Sequence, residues 1–247
     1  MTQLSSFSIP QNLLNLVMRT CFNCTVSVFW GEPDRQPDMN NASGVLLKLD
    51  RPLLLTAEHV IRSFLERQAT QPSLKLQIAE GSIDDISERI IGKAHQPDLV
   101  TLDLTGIDIQ RFARHLAFHV PPNWPPTPVI SGLSVLIVAF PKAYRSLLPD
   151  QRAIKFDSWN LHTQVTSVSD YGFVCAIDTG TMTNLSNRAP WPQTYGGISG
   201  CPVFAIRGEI SRLELVGIVY EASENFDAII SHHTQMISTD GTFLSWR

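Results

Sequence analysis

Short apolar runs follow one another along most of the chain, and Gly, Pro, Asn and Asp separate them. In the N-terminal half these runs predict strands at residues 25–30, 44–49, 53–56, 74–79 and 99–104. The same rhythm resumes later and predicts strands at residues 134–140, 152–156, 161–168, 173–178, 203–206 and 213–220. Many short strands in each half favour barrels or sandwiches, because closing a sheet removes its exposed edges. The pattern therefore predicts an all-β chain with two similar halves.

Three segments depart from this strand rhythm. Apolar residues at near-helical spacing after Pro10 predict a short amphipathic helix over residues 10–20. Residues 120–128 contain five prolines, which cannot donate to a β-ladder, so this segment is interpreted as a connector. Residues 240–247 are a candidate terminal helix, although Gly241 and Thr242 disfavour it.

Composition excludes several classes of protein. With 247 residues and 43% hydrophobic content, the chain is long and apolar enough to form a core, which excludes intrinsic disorder. The net charge of −4 and the lack of a basic stripe disfavour nucleic-acid binding. Apolar runs stay well below the roughly 18 residues of a membrane span. We expect a soluble protein that binds neither nucleic acid nor membrane.

The N-terminus and the cysteines bear on the compartment. Residues 1–10 show no secretory signal, so an intracellular, cytoplasmic location is expected. Four cysteines are too few for a disulfide scaffold and are expected to be free thiols. Cys21 and Cys24 form a C-x-x-C pair, but zinc needs two further ligands and His232 with His233 is a poor second half. We therefore expect neither a metal nor a cofactor.

Two segments of the first half carry residues suited to proton transfer. His59 follows a fully apolar predicted strand, and Asp98 immediately precedes another. A carboxylate beside an imidazole fixes its tautomer and stabilises the imidazolium. Each residue also has an ordinary interpretation, His59 as a buried or capping histidine and Asp98 as a turn residue. Sequence alone leaves both interpretations open.

A glycine-rich segment in the second half carries a serine. Three glycines surround Ser199 in residues 196–200, and a predicted strand follows. Glycines allow backbone N–H groups to turn toward a ligand, and a serine on such a loop can attack a carbonyl. The alternative is an ordinary glycine-rich hairpin loop.

Taken together, these segments resemble a known family. Leu-Thr-Ala-Glu-His59, Asp98-Leu-Val-Thr-Leu and Gly197-Ile-Ser199-Gly-Cys-Pro, in this order, resemble the three motif blocks of trypsin-like (chymotrypsin-fold) serine proteases. A fourth block, residues 215–219, is similar to the family's substrate-pairing strand. The resemblance extends over about residues 25–235.

The resemblance implies two Greek-key six-stranded β-barrels with an active site between them. The first barrel would span residues 25–119 and the second 131–235 of one protease domain, with a lead-in at 1–24, a connector at 120–130 and a terminal segment at 236–247. It further implies peptide-bond hydrolysis with Ser199 as nucleophile, His59 as base and Asp98 orienting His59. The N–H groups of Gly197 and Ser199 would form the oxyanion hole.

A second enzyme class has its catalytic residues in another order. Ser199, Asp227 and His232 or His233 occur in the serine, acid, histidine order of α/β-hydrolases. That class requires its serine on a strand-to-helix turn, whereas Pro202 and β-rich sequence follow here, and alternating strands and helices are missing. The sequence disfavours this class.

The sequence departs from the family at positions that affect activation and specificity. Ile198 stands where secreted relatives carry an aspartate that pairs with a newly cut N-terminal amine, so activation by that route is not expected. The resemblance places Gln193 on the pocket floor, which argues against a strict Arg or Lys requirement. It places Tyr220, Glu221 and Ala222 beside the bound peptide.

Three functions fit these observations. The first is an intracellular serine endopeptidase that acts on proteins or peptides without a cofactor. The second is a catalytically silent module that binds peptides in the same cleft. The third is a protease within a larger assembly, activated by a partner protein that orders the active-site loop.

Overall fold

The computed structural model describes residues 11–31, 39–148, 154–177, 182–186, 191–192, 194–207, 212–223 and 228–244. The elements of the N-terminal half are α1 (Gln11–Cys24), β1 (Thr25–Trp30), β2 (Asn40–Lys48), β3 (Pro52–Thr56), α2 (Glu58–Thr70), β4 (Leu76–Ile78), β5 (Gly81–Ile83), α3 (Ile86–Arg89), β6 (Ile90–Ala94) and β7 (Leu99–Asp103). The C-terminal half contains β8 (Ser134–Ala139), β9 (Arg145–Leu147), β10 (Ile154–Phe156), β11 (Trp159–Val168), β12 (Gly172–Ala176), β13 (Thr183–Asn184), β14 (Pro202–Ile206), β15 (Leu213–Ser223) and β16 (Ala228–His233). Within these described residues, three short 3₁₀ turns occupy Ile109–Arg111, Lys142–Tyr144 and Thr234–Met236.

The strands form two large antiparallel sheets and one small hairpin. The N-terminal sheet has the order β5-β4-β1-β2-β3-β7-β6, and the C-terminal sheet has the order β12-β16-β15-β14-β8-β11-β13. A further pairing of β12 with β11 closes six strands of the C-terminal sheet into a barrel. The N-terminal sheet curls, and among the described residues its edge strands β5 and β6 do not pair with each other. The predicted all-β, two-barrel class is confirmed, with the difference that only the C-terminal barrel is closed.

The two sheets pack against each other through strands that are buried on both faces. In β3, Leu54 points into the N-terminal core, whereas Leu53 and Leu55 belong to a cluster shared by both sheets. In β8, Val138 enters this shared cluster and Ile137 enters the C-terminal core. Successive side chains of a strand point to opposite faces. The continuous apolar runs of β3 and β8 therefore reflect burial between layers.

Helix α1 covers one edge of the contact between the sheets. Leu14, Val17, Met18 and Cys21 on one face of the helix are buried in the shared cluster. The predicted N-terminal helix is confirmed and continues to Cys24. No helix in the described part of the chain is long and apolar enough to cross a membrane.

The sequence missed one helix, and one predicted helix is wrong. Helix α2 follows β3 directly and buries Val60, Ile61 and Phe64, a helical spacing within an otherwise polar segment. At the C-terminus, residues 240–244 form a turn and an isolated bridge between Ile237 and Phe243 instead of a helix. Gly241 adopts a left-handed φ of 92°, which no helix interior contains. Residues 245–247 lie outside the described part of the chain.

Candidate active site

His59 and Asp98 meet where two paired strands place their ends together. Strands β3 and β7 are antiparallel neighbours with Thr56 opposite Val100, so the residues after β3 lie beside those before β7. His59 stands in the first turn of α2, and Asp98 immediately precedes β7. Oδ2 of Asp98 lies 2.5 Å from Nδ1 of His59, and Oδ1 accepts the His59 backbone N–H at 2.8 Å. The carboxylate therefore holds both the ring and the backbone of His59.

The backbone contact also satisfies the start of the helix. Ala57 is the N-cap of α2 and has no side chain that can bond the first N–H groups. Asp98 supplies the missing acceptor and places its negative charge at the positive end of the helix. This contact fixes the position of His59 independently of its ring orientation.

The environment of Asp98 favours its ionised form. Burial acts to raise the pKa of Asp98. The hydrogen bonds from His59 and the positive charges of His59 and His232 lower this pKa by more than burial raises it. The net pKa lies below the ordinary value. Asp98 is thus a carboxylate that accepts a hydrogen bond from the Nδ1–H of His59, and the Nε2 of His59 stays free to take a proton.

Ser199 lies on a loop from the C-terminal half that is pressed against the end of β3. The Ser43 N–H of β2 donates to the Ser199 carbonyl at 2.9 Å. Gly200 has a φ of 84°, and a Cβ there would collide with the Ser43 carbonyl and the Thr56 hydroxyl. Only a glycine allows this close approach of two backbones. The loop therefore contacts the strand end that leads directly to His59.

The same loop is fastened at Gly196 and Gly197. The Ser43 hydroxyl donates to the Gly197 carbonyl at 3.0 Å and accepts the Phe140 N–H at 3.0 Å. The Lys142 N–H donates to the Gly196 carbonyl at 2.6 Å. Ile198 is 1% exposed and packs in the C-terminal core. The buried Ile198 side chain and hydrogen bonds to the Gly196 and Gly197 carbonyls thus hold this segment of the loop.

The serine hydroxyl and two N–H groups of the loop differ in their hydrogen bonding. The Ser199 hydroxyl donates to the Tyr220 carbonyl at 3.3 Å, and it is not bonded to His59 in this conformation. Among the described residues, the N–H groups of Gly197 and Ser199 have no hydrogen-bond acceptor. Gly197 has a φ of 92°, so its backbone takes the left-handed conformation open to glycine. The structure brings His59 and Asp98 together and places the Ser199 loop beside them without a serine–histidine hydrogen bond.

Strand β15 contributes the residues expected to line the cleft. Tyr220 falls at a bulge between the pairs Val219–Ser231 and Glu221–Ile230. Its ring stacks on the His232 ring with 4.3 Å between the ring centroids. Burial raises the pKa of Tyr220 and lowers the pKa of His232, and the negative charge of Asp98 acts to raise both. Glu221 is exposed, and residues 221–223 pair with β16 on one side only within the described part of the chain. Gln193 lies outside the described residues.

The remaining sequence candidates are accounted for by the fold. All strand pairs of the described sheets are antiparallel, and the serine loop leads into strand β14, which excludes the α/β-hydrolase arrangement. Asp227 lies outside the described residues, and the ring of buried His233 bonds the Ser169 carbonyl. All four cysteines are buried and unbridged. Burial raises the pKa of the Cys24 thiol to about 12, which disfavours the thiolate that a metal would bind.

Sequence reasoning missed the residues that support the site. Ser43 lies 154 residues from Gly197, and Glu58, next to His59, is a charged residue with 1% exposure. A Ser-Gly pair within an apolar strand carries no signal of a partner in the other sheet. Glu58 did offer a signal, because it closely follows a fully apolar strand, where the chain is expected to be buried. A buried charged residue needs a partner, so this position indicated an ion pair.

Two curled antiparallel sheets, one of them closed as a six-stranded barrel, form a two-barrel chymotrypsin-like fold. His59 and Asp98 belong to the N-terminal half, and Ser199 belongs to the C-terminal half. No family model and no curated protein matches the sequence. Among solved structures, the active form of the Rv3671c protease from M. tuberculosis has a TM-score of 0.49 and 12% identity, over 92% of this chain and 82% of that one. The thermostable serine protease AL20 from an extremophilic microorganism has a TM-score of 0.49 and 11% identity, over 85% and 91%. The catalytically active tobacco etch virus protease with bound product has a TM-score of 0.48 and 12% identity, over 95% and 80%.

Proposed function

We propose that the protein is a serine endopeptidase that hydrolyses peptide bonds through an acyl-enzyme. One observation carries the proposal: the Asp98 carboxylate holds both the ring and the backbone N–H of His59, and the loop that carries Ser199 packs at Gly200 against Thr56 and Ala57, just before His59. This pairing prepares an imidazole to accept a proton and to stabilise the imidazolium that forms.

The proposed reaction assigns one step to each group. Ser199 Oγ attacks the scissile carbonyl carbon while His59 Nε2 takes the hydroxyl proton. The carbonyl oxygen gains negative charge and accepts hydrogen bonds from the Gly197 and Ser199 N–H groups. His59 then returns the proton to the leaving amine as the carbon–nitrogen bond breaks, and water hydrolyses the remaining ester by the same proton route.

One feature of the loop supports this assignment, and a second defines a movement that the reaction requires. The two N–H groups have no acceptor among the described residues and are therefore available to an oxyanion. The Ser199 hydroxyl must leave the Tyr220 carbonyl and turn toward His59, a side-chain rotation that takes picoseconds to nanoseconds. Catalytic hydrogen bonds are often long or misaligned in free enzymes and tighten when substrate binds.

The open side of β15 supports an extended peptide as substrate. Residues 221–223 lack a second strand partner in the described part of the chain and lie beyond Tyr220, which contacts Ser199. A peptide that adds a strand to such an edge makes backbone hydrogen bonds irrespective of its sequence. Exposed Glu221 would favour basic residues nearby. The proposal also includes Gln193 as a neutral floor of the specificity pocket, so that cleavage has no strict requirement for Arg or Lys. It further includes an intracellular location.

The test is labelling of the purified chain by a fluorophosphonate, together with digestion of a peptide library. We expect the wild type to be labelled and to cleave peptides, whereas Ser199→Ala should lose both. The matched control is Ser186→Ala, which removes a hydroxyl bonded to the Ser158 carbonyl and outside the proposed catalytic group. A folded wild type that is neither labelled nor active would contradict the proposal.

A silent peptide-binding module is the second candidate. The observation that favours it is the Ser199 hydroxyl bonded to Tyr220 instead of His59. Binding of library peptides without cleavage, and with equal affinity for the wild type and Ser199→Ala, would identify it. Activity of the isolated chain would in turn remove the need for an activating partner.

A further inference from the structure

Glu58 is a buried charge that the proposed reaction does not use. Its side chain is 2% exposed and lies in the first turn of α2, directly before His59. Burying a carboxylate costs several kcal/mol unless it is paired and hydrogen-bonded. The sequence nevertheless places it next to the proposed base, so its partners indicate what it does.

Three basic side chains surround the Glu58 carboxylate. Arg62 Nη1, one turn along the same helix, lies 3.3 Å from Oε2. Lys93 Nζ, on β6, lies 3.2 Å from Oε1, and His95 Nδ1, in the turn between β6 and β7, lies 3.0 Å from Oε2. His95 Nδ1 also lies 3.2 Å from Arg62 Nη1. This nitrogen donates to Glu58 when it carries the hydrogen and accepts from Arg62 when it does not.

Two of these partners belong to the segment that delivers Asp98. Lys93 and His95 lie five and three residues before Asp98, and the turn closes with a hydrogen bond from the Leu99 N–H to the Pro97 carbonyl at 2.8 Å. The turn is thus fastened to α2 twice, by His95 on Glu58 and by Asp98 on His59. An open cleft of about 600 Å³ borders the same residues, so apolar packing supports this side of the turn only weakly.

Resting on the proposed function, we infer that Glu58 is a positioning residue: its ion pair with Lys93 and its hydrogen-bonding contact with His95 set the distance between the Asp98 carboxylate and the His59 ring. Removing the carboxylate leaves Arg62 and Lys93 without their shared counter-charge and His95 without its acceptor, and the turn moves away from α2. Asp98 then loses its alignment with the ring, and proton transfer slows. A misplacement of about 1 Å in such a group costs on the order of 10²-fold in rate.

Glu58→Gln tests the inference, with Glu66→Gln as its matched control. Glu66 is exposed on the same helix, two turns later, and its substitution removes the same charge. We expect Glu58→Gln to lower kcat by about 10- to 100-fold with little change in KM, and Glu66→Gln to change neither. Lys93→Met, which removes a half-exposed partner and endangers folding less, should lower kcat in the same direction by a smaller factor.

A spectroscopic signal separates this inference from the proposed function. The His59 Nδ1–H proton in its short bond to Asp98 should resonate far downfield in the proton NMR spectrum, and this does not depend on Ser199 chemistry. We expect the signal to move upfield in Glu58→Gln and Lys93→Met and to stay in Glu66→Gln. Folded Glu58→Gln and Lys93→Met proteins with an unchanged signal would overturn the inference, even if the wild type proves to be a peptidase. A wild type without peptidase activity whose signal responds as expected would contradict only the proposed function.

Discussion

His119 shows how burial alone changes the chemistry of a residue. Its side chain is 8% exposed, packs edge-on against Phe204 with 5.2 Å between ring centroids, and lies at the contact between the sheets. Among the described residues, its buried Nε2 has no hydrogen-bond partner. Burial lowers the pKa of His119 to about 4, because the interior disfavours the charged ring.

This burial predicts an acid-sensitive fold. Above pH 6.5 the ring is neutral in both the folded and the unfolded chain, so it adds no pH dependence. As the pH falls from 6.5 to 4, the unfolded chain binds a proton that the folded chain excludes, and the free energy of unfolding decreases by up to about 3 kcal/mol. Urea unfolding of His119→Leu over this range should show a smaller decrease than the wild type.

His115→Leu is the control for this measurement, because His115 is exposed four residues earlier. Its acid sensitivity should match that of the wild type. Equal pH dependence of His119→Leu and the wild type would show that His119 takes up its proton in the folded protein.

At the scale of elements, strand β2 connects the two halves of the site. Its residue Ser43 bonds Gly197, Phe140 and Ser199 through its hydroxyl and its N–H, and its carbonyl accepts the Thr56 hydroxyl at 2.7 Å. One buried residue thus fixes the serine loop relative to the strand that leads to His59. The ends of β2, β3 and β8 converge on the same loop.

Ser43→Ala should weaken both stability and activity. The substitution leaves the Phe140 N–H and the Gly197 carbonyl without their buried partner, which costs about 1–3 kcal/mol of unfolding free energy. We expect kcat to fall by about 10-fold or more, since the loop that carries the proposed oxyanion N–H groups loses an anchor. Thermal unfolding and steady-state peptide hydrolysis measure the two effects.

Ser27→Ala is the matched control, because Ser27 lies opposite Ser43 on β1 and is also buried. It is not bonded to the serine loop, and we expect its kcat to stay near the wild-type value. A Ser43→Ala protein with full activity would show that Lys142 and Ile198 hold the loop without the hydroxyl.

The elements differ in how well the sequence predicts them. Strand β1 coincides with its prediction at both ends, because all six of its residues are buried and five of them are β-branched or aromatic. Helix α2 was missed because only Val60, Ile61 and Phe64 mark its apolar face among polar residues. Short strands such as β5 and β13 have no pattern of their own, and their neighbours in the sheet define them.

At the scale of the whole molecule, the candidate site depends on a close contact between the two halves at Gly200. A Cβ at this position would meet the backbone of Ser43 and Ala57, both in the N-terminal half, and the φ of 84° already favours glycine. Space at this contact therefore controls how close the Ser199 loop comes to His59.

Gly200→Ala should separate the serine from the histidine. The backbone atoms that the new methyl meets cannot move aside cheaply, so we expect the loop to shift and kcat to fall by 100-fold or more. Gly106→Ala is the matched control, since Gly106 has a similar φ of 81° but nothing within 4 Å of the added carbon. It should lose only about 1 kcal/mol of stability and keep its activity. Similar activity in the two variants would contradict a tight contact between the halves.

The sequence by itself determined the strand content, the two halves and the identity of the chemical groups, because these depend on local periodicity and residue type. Tertiary structure alone decided that Asp98 also accepts the His59 backbone N–H, that Ser43 fastens Gly197, and that Glu58 is buried among three basic side chains. Each of these contacts joins segments that are far apart along the chain, and their distances follow from how the sheets curl and pack. A local pattern of residues contains no information about such distances.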